Sequence, residues 1–227
     1  MTDQLLFTLD GNVVGARPGE TIWQVAKREG IDIPHLCWLP EPGYRADGNC
    51  RACMVEVEGE RVLTASCIRK PTPNMVVKTA TDRAVKARRM VMELLLADQP
   101  PQEDSPDRVS KFWHWAELQK IDSSRFPAHD ILKPDLSHPA MAVNLDACID
   151  CGLCVRACRE VQVNDVIGMG FRNIDTRPVF DFDDPMGLST CVACGECVQA
   201  CPTGALMPKS IVDPITQHGS REVDRQV

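Results

Sequence analysis

Apolar and polar positions alternate from the start of the chain. Residues 4–17, QLLFTLDGNVVGAR, hold two short apolar runs on either side of Asp10-Gly11, and an Asp-Gly pair in that setting predicts a β-hairpin. Thr21 opens an amphipathic stretch, TIWQVAKREG, that reads as a helix capped by Thr21 and closed by Gly30. Residues 54–67, MVEVEGERVLTASC, alternate apolar with charged positions around Gly59, a second hairpin. Residues 82–97, DRAVKARRMVMELLLA, lack Gly and Pro and set Val85, Val91, Leu94 and Leu95 among polar residues, which predicts a helix ended by Asp98-Gln99-Pro100-Pro101. The chain from there to about residue 140 is a polar, proline-interrupted connector. Its one aromatic knot, Phe112, Trp113 and Trp115, is expected to pack it against the flanking domains.

Beyond residue 140 an internal repeat takes over. NLDACIDCGLCVRACREV (144–161) and GLSTCVACGECVQACPTG (187–204) align cysteine for cysteine, 43 positions apart. In each copy a short strand should lead into a loop, with a helix beginning after the third cysteine. The twelve cysteines form three quartets: Cys37, Cys50, Cys53 and Cys67 as C-x12-C-x2-C-x13-C, then Cys148, Cys151, Cys154 and Cys158, then Cys191, Cys194, Cys197 and Cys201, each C-x2-C-x2-C-x3-C. Thiolates are soft ligands that hold iron–sulfur clusters in fours, and the last two runs have the spacing of a bacterial two-cluster ferredoxin. In that pattern the fourth cysteine of each run serves the other cluster. One 4Fe-4S cluster is therefore expected on Cys148, Cys151, Cys154 and Cys201, a second on Cys191, Cys194, Cys197 and Cys158, and a 2Fe-2S cluster on Cys37, Cys50, Cys53 and Cys67. Pro40, Pro42, Gly43 and Gly48 let the first cysteine loop turn tightly and aim N–H groups at sulfur. Pro202 follows the second run, whereas Arg159 follows the first, with a surface ion pair or a raised cluster potential as its candidate roles.

Composition narrows the alternatives. Disulfides would suit a cysteine-dense secreted domain, but MTDQLLFTLD has no basic start and apolar core, and gaps of two and three residues crowd any bridge. Zinc takes paired C-x2-C knuckles, yet has no use for the third cysteine of each run. A chain of 227 residues with twelve cysteines, 17 prolines and 14 glycines suits two small domains in which metal coordination supplies much of the folding free energy. The net charge of −7, with only Arg83, Lys86, Arg88 and Arg89 as a scattered basic stretch, argues against nucleic acid. No apolar run approaches the roughly 18 residues of a membrane span. These features together point to the cytoplasm.

With the ligands assigned, the chain resembles a known family. DGNCRACMVEVEG followed by ASC is similar to the 2Fe-2S domain of the complex I large iron–sulfur subunit, of the small diaphorase subunit of NAD-reducing hydrogenases and of the alpha subunit of NAD-dependent formate dehydrogenases. HPAMAVNLDACIDCGLCVRACREVQVNDVIGM and FDFDDPMGLSTCVACGECVQACPTGAL look most like the formate dehydrogenase branch, and the resemblance covers nearly the whole chain. Two departures stand out. Family members usually carry a His-x3-Cys-x2-Cys-x5-Cys site after this helix, where the present chain has Gln99 near the histidine position and no cysteine between Cys67 and Cys148. In formate dehydrogenases a further cluster motif and a molybdopterin domain follow a segment like REVDRQV, so the chain reads either as a fragment or as a separate subunit.

The expectation is thus an α+β protein: a β-grasp 2Fe-2S ferredoxin domain over 1–80, a helix and proline-interrupted connector over 81–140, a bacterial-type two-cluster 4Fe-4S domain over 141–212 and a tail over 213–227. The resemblance implies an electron relay between a molybdenum or tungsten formate site in a molybdopterin catalytic domain or subunit and a flavin/NADH-binding diaphorase partner. A hydrogenase diaphorase subunit and a zinc-stabilised or redox-sensing scaffold are the alternatives. No catalytic residue is assigned to the chain. His35, His114, His129, His138 and His218 read as surface or structural, with His35 close enough to Cys37 in sequence to meet a cluster sulfur.

Overall fold

The computed structural model describes residues 5–128 and 132–212; the tail expected over 213–227, together with His129 and His218, lies outside them. Contacts divide the chain into two units, the first comprising 1–38 and 45–92, the second 39–44 and 93–227.

The first unit is a five-stranded sheet in the order β2-β1-β5-β3-β4. Strands β1 (Leu5–Leu9) and β2 (Asn12–Ala16) form the expected hairpin. Its turn residues, Asp10 and Gly11, both have positive φ, as a two-residue turn of matching twist demands. Phe7 and Leu9 are buried, as are Ile22, Trp23, Val25 and Ala26. Those last four belong to helix α1 (Ile22–Arg28), which starts in a reciprocal capping box between Thr21 and Gln24. Strands β3 (Met54–Val57) and β4 (Thr64–Ala65) are the second hairpin. The sequence pattern did not announce β5 (Val76–Lys78), which lies between β1 and β3, parallel to the first and antiparallel to the second. Asp10 fastens its end by accepting from the Thr79 N–H at 2.7 Å and the Thr79 hydroxyl at 2.6 Å. A parallel β1–β5 pair at the centre of a mixed sheet crossed by one helix is the β-grasp arrangement.

Helix α2 (Asp82–Ala97) has the expected bounds, and the division between units falls within it. Of the stretch 81–140, residues 81–92 belong to the first unit and the rest to the second, and the aromatic knot is itself a helix. This is α3 (Lys111–Leu118), capped by Ser110, with Phe112, Trp113 and Trp115 buried. Trp113 Nε1 donates to Ser105 Oγ at 3.0 Å, and the Phe112 N–H donates to the carbonyl of Pro202 at 3.1 Å. The rest of the unit holds β6 (Met141–Val143), α4 (Leu153–Arg156), β7 (Ile167–Gly170), β8 (Arg177–Phe180), α5 (Glu196–Ala200) and β9 (Leu206–Pro208). Strands β6 and β9 pair antiparallel, as do β7 and β8. Among the described residues no helix is long and apolar enough to cross a membrane.

Candidate metal centres

The first quartet stands at the ends of the β3–β4 hairpin. Met54 pairs with Ala65, so Cys53 and Cys67 flank the same end, and the Ser66 side chain donates to the Cys53 carbonyl at 2.8 Å. Cys37 lies within hydrogen-bond reach of Cys50 and Cys67, and Cys53 within reach of Cys67. This crowding splits the four thiols. The bonds from Cys50 and Cys67 draw Cys37 far down, and the bond from Cys67 draws Cys53 to about 7. Cys50 and Cys67 are pushed up, chiefly as the donors in those bonds and then by burial. Half-buried Arg88 lies alongside, donating to the carbonyls of Met54 at 2.9 Å and Thr79 at 2.6 Å, with its charge felt at Cys53. His35 is packed edge-on against Trp23, ring centroids 4.3 Å apart, in a cluster with Trp38. That packing is a structural role.

In the second unit two cavities form. One is lined by Cys148, Cys151, Cys154 and Cys201; the other by Cys158, Cys191, Cys194 and Cys197. The runs therefore exchange their fourth cysteines in space. Each loop is held open by alternating backbone handedness. Asp150 and Gly152 in the first run, like Ala193 and Gly195 in the second, all have positive φ. The same loops turn N–H groups onto sulfur, Asp150 N–H to Cys148 at 3.4 Å and Ala193 N–H to Cys191 at 3.4 Å, and outside them the Val166 N–H, just before β7, reaches Cys158 at 3.3 Å. The left-handed Gly152 and Gly195 begin the helices one residue before the third cysteine, at Leu153 and Glu196, earlier than the sequence suggested.

The runs differ after the fourth cysteine. Pro202 follows the end of α5, whereas the first run continues through a π-turn, Ala157–Val161, that carries Cys158. Arg159 can continue a helical turn where proline cannot donate. Its side chain makes an exposed ion pair with Asp165. Gln99 donates to the carbonyl of Ala147 at 3.1 Å, anchoring the segment that leads into Cys148. His138 is buried, its Nδ1 accepting from the N–H groups of Ala140 and Met141 at 3.1 Å each, and His114 packs against Trp115 on α3.

The donor chemistry suits iron–sulfur clusters. Burial, and after it the neighbouring cysteines, raises Cys154 well above the ordinary thiol value, and burial first among its causes raises Cys148 likewise and lifts Cys197 to about 12. Cys148 and Cys154 in one cavity and Cys197 in the other thus resist ionisation until a bound cation stabilises the thiolates. Sequence reasoning passed over half-buried Arg88 and buried Arg156, because arginine in a helix reads as surface until the fold shows it covered.

Known proteins are similar to this chain. Residues 2–82 match the 2Fe-2S iron–sulfur cluster binding domain and residues 140–205 the 4Fe-4S dicluster domain. The chain is a mixed α and β protein with a 2Fe-2S domain followed by a 4Fe-4S dicluster domain. It is 36 % identical to NADP-reducing hydrogenase subunit HndD of Solidesulfovibrio fructosivorans over 79 % of this chain and 32 % of that protein. It is 32 % identical to the putative formate dehydrogenase YrhE of Bacillus subtilis, over 90 % and 21 % respectively. The mitochondrial 78 kDa subunit of NADH-ubiquinone oxidoreductase from Candida albicans is 31 % identical over 74 % and 24 %. The chain thus spans a fifth to a third of the length of these curated relatives. A chain in the crystal structure of the NAD+-reducing [NiFe]-hydrogenase in its H2-reduced state superposes with a TM-score of 0.78 at 29 % identity, covering 94 % of this chain and 92 % of that one.

Proposed function

We propose that this chain is an electron-transfer component of a multi-subunit NAD-linked oxidoreductase, a role that suits the cytoplasm. Its twelve cysteines would hold one 2Fe-2S cluster through Cys37, Cys50, Cys53 and Cys67, and two 4Fe-4S clusters through Cys148, Cys151, Cys154, Cys201 and Cys158, Cys191, Cys194, Cys197. Bound clusters of these types accept and release single electrons. The observation that carries the reading is the pair of four-cysteine cavities with exchanged fourth members. The chain's own groups supply thiolate ligands, N–H donors to sulfur and apolar walls that keep water away, each of which tunes a cluster's potential.

The relatives support a reading of the partners. A flavin subunit handling NADH and a molybdenum or tungsten formate site would stand at the two ends of the relay, in line with the similarity to the formate dehydrogenase-like protein. A second reading replaces formate with hydrogen, favoured by the structural match to a chain of the NAD+-reducing [NiFe]-hydrogenase. Anaerobic purification with iron and acid-labile sulfide analysis tests the common part, with about ten iron and ten sulfide per chain expected. Zinc without sulfide overturns it in favour of a scaffold. Identification of the copurified catalytic subunit, molybdopterin or nickel, decides between the two readings.

A further inference from the structure

The segment between Cys158 and β7 is bent in a way that its own residues do not favour. Val163 and Asp165 both hold left-handed backbone, at φ of 56° and 55°, a costly conformation for a β-branched residue above all. The Val163 side chain is 80 % exposed, so the bend does not serve to bury it. What the bend does is aim donors. The Asn164 N–H donates to the Cys158 carbonyl at 2.9 Å, and the Val166 N–H reaches Cys158 Sγ at 3.3 Å. The half-buried Asn164 side chain turns Nδ2 toward Cys194 Sγ, 3.8 Å away. A thiolate accepts and does not donate, so the amide presents nitrogen to it rather than oxygen. Asn164 and Cys194 both line the cavity of Cys158, Cys191, Cys194 and Cys197. Carrying the 43-residue offset of the repeat onward sets Met207 against Asn164, buried on β9, where 206–208 is regular strand.

We propose that Asn164 is a potential-setting residue of this cavity: its amide donates to Cys194 and raises the reduction potential of the cluster held by Cys158, Cys191, Cys194 and Cys197. The inference rests on the iron–sulfur reading above. Reduction adds one negative charge to a cluster and its ligand sulfurs, and a donor on a ligand stabilises the reduced form more than the oxidised one. The strain at Val163 and Asp165 then has a use, since it fixes the amide at the sulfur before and after the electron arrives. Met207 carries no N–H or O–H on its side chain. Two clusters alike in cysteine spacing therefore differ at this position.

The test is an anaerobic redox titration of the full chain with dithionite, followed by electron paramagnetic resonance, for wild type, Asn164→Leu and Asn164→Asp. Both variants keep the branched shape; one removes the donor and the other replaces it with a carboxylate. Iron and sulfide are counted first in each, and Cys194→Ser identifies the signal of the cluster that Cys194 holds. At the wild-type midpoint the oxidised-to-reduced ratio of that cluster should rise about threefold in the Leu variant, about 28 mV for one electron, and about tenfold in the Asp variant, about 59 mV. The cluster of Cys148, Cys151, Cys154 and Cys201 should keep its potential in both. Unchanged ratios in loaded variants overturn the proposal, as does an Asp variant that titrates above the Leu one, or an equal shift of both clusters. Failure of both variants to take up the cluster of Cys194 overturns it too, since the residue would then serve assembly. A wild-type chain without iron and sulfide instead sinks the reading on which the inference rests.

Discussion

Asp150 and Ala193 occupy equivalent places in the two cysteine runs, 43 positions apart, and both hold left-handed backbone, at φ of 50° and 58°. The repeat is therefore one of conformation as well as of cysteine spacing. A residue with a Cβ is strained there, and its persistence at both positions shows how strongly the loop geometry is imposed.

Relief of that strain is measurable at Ala193, which is exposed. Ala193→Gly should stabilise the loaded protein by about 0.5–1 kcal/mol, the left-handed penalty less the entropy glycine adds to the unfolded chain. Anaerobic urea denaturation of both forms gives the comparison, and a lower midpoint for the glycine variant contradicts the strain.

Two left-handed glycines should respond differently to a methyl group. A Cβ on Gly195 meets nothing within 4 Å, whereas one on Gly204 falls 2.4 Å from the Cβ of buried Asp107. Gly195→Ala should cost about 1 kcal/mol and Gly204→Ala about 3 kcal/mol or more. Equal losses in thermal melts would mean that Asp107 can move aside.

Removal of a fourth cysteine should act at a distance in sequence. Cys158→Ala is expected to abolish the paramagnetic signal of the cluster held by Cys191, Cys194 and Cys197 and to spare the one held by Cys148, Cys151 and Cys154. The opposite pattern of loss would assign each run its own cluster.

Arg88 ties α2 to the sheet through two main-chain oxygens. Arg88→Met leaves both carbonyls without that donor and should destabilise the first unit by about 2 kcal/mol, with iron content retained at the second. Hydrogen exchange at Val55 and Val77 reads the effect directly. Unaltered protection at those amides would show the clamp to be dispensable.

Much of this was legible along the chain. Asp10-Gly11 fixed the first hairpin and the uninterrupted run 82–97 the longest helix, because turn chemistry and helical periodicity act locally. The cysteine spacings, also local, grouped three of the four cysteines that line each cavity. Strand β5 escaped because three residues, Val76–Lys78, are too few to show alternation, and its place at the sheet's centre depends on partners distant in sequence. The helix at Lys111–Leu118 was hidden by the prolines around it, and its aromatic residues are explained by Pro202 and Ser105, which no local pattern connects to them. Arg156 was silent for a simpler reason: burial of a charge is a property of the fold.

The exchanged fourth cysteines also set an order of events in biosynthesis. Ribosomes release this region from residue 141 onward, and the first cavity lacks a wall until Cys201 has emerged, though its other three members appear by Cys154. The second waits for Cys197 while Cys158 is already present. Neither cavity can close on a nascent chain that stops between the runs. The interval from the appearance of Cys148 to that of Cys201 is the time for which the thiols of the first cavity lack their full set of neighbours.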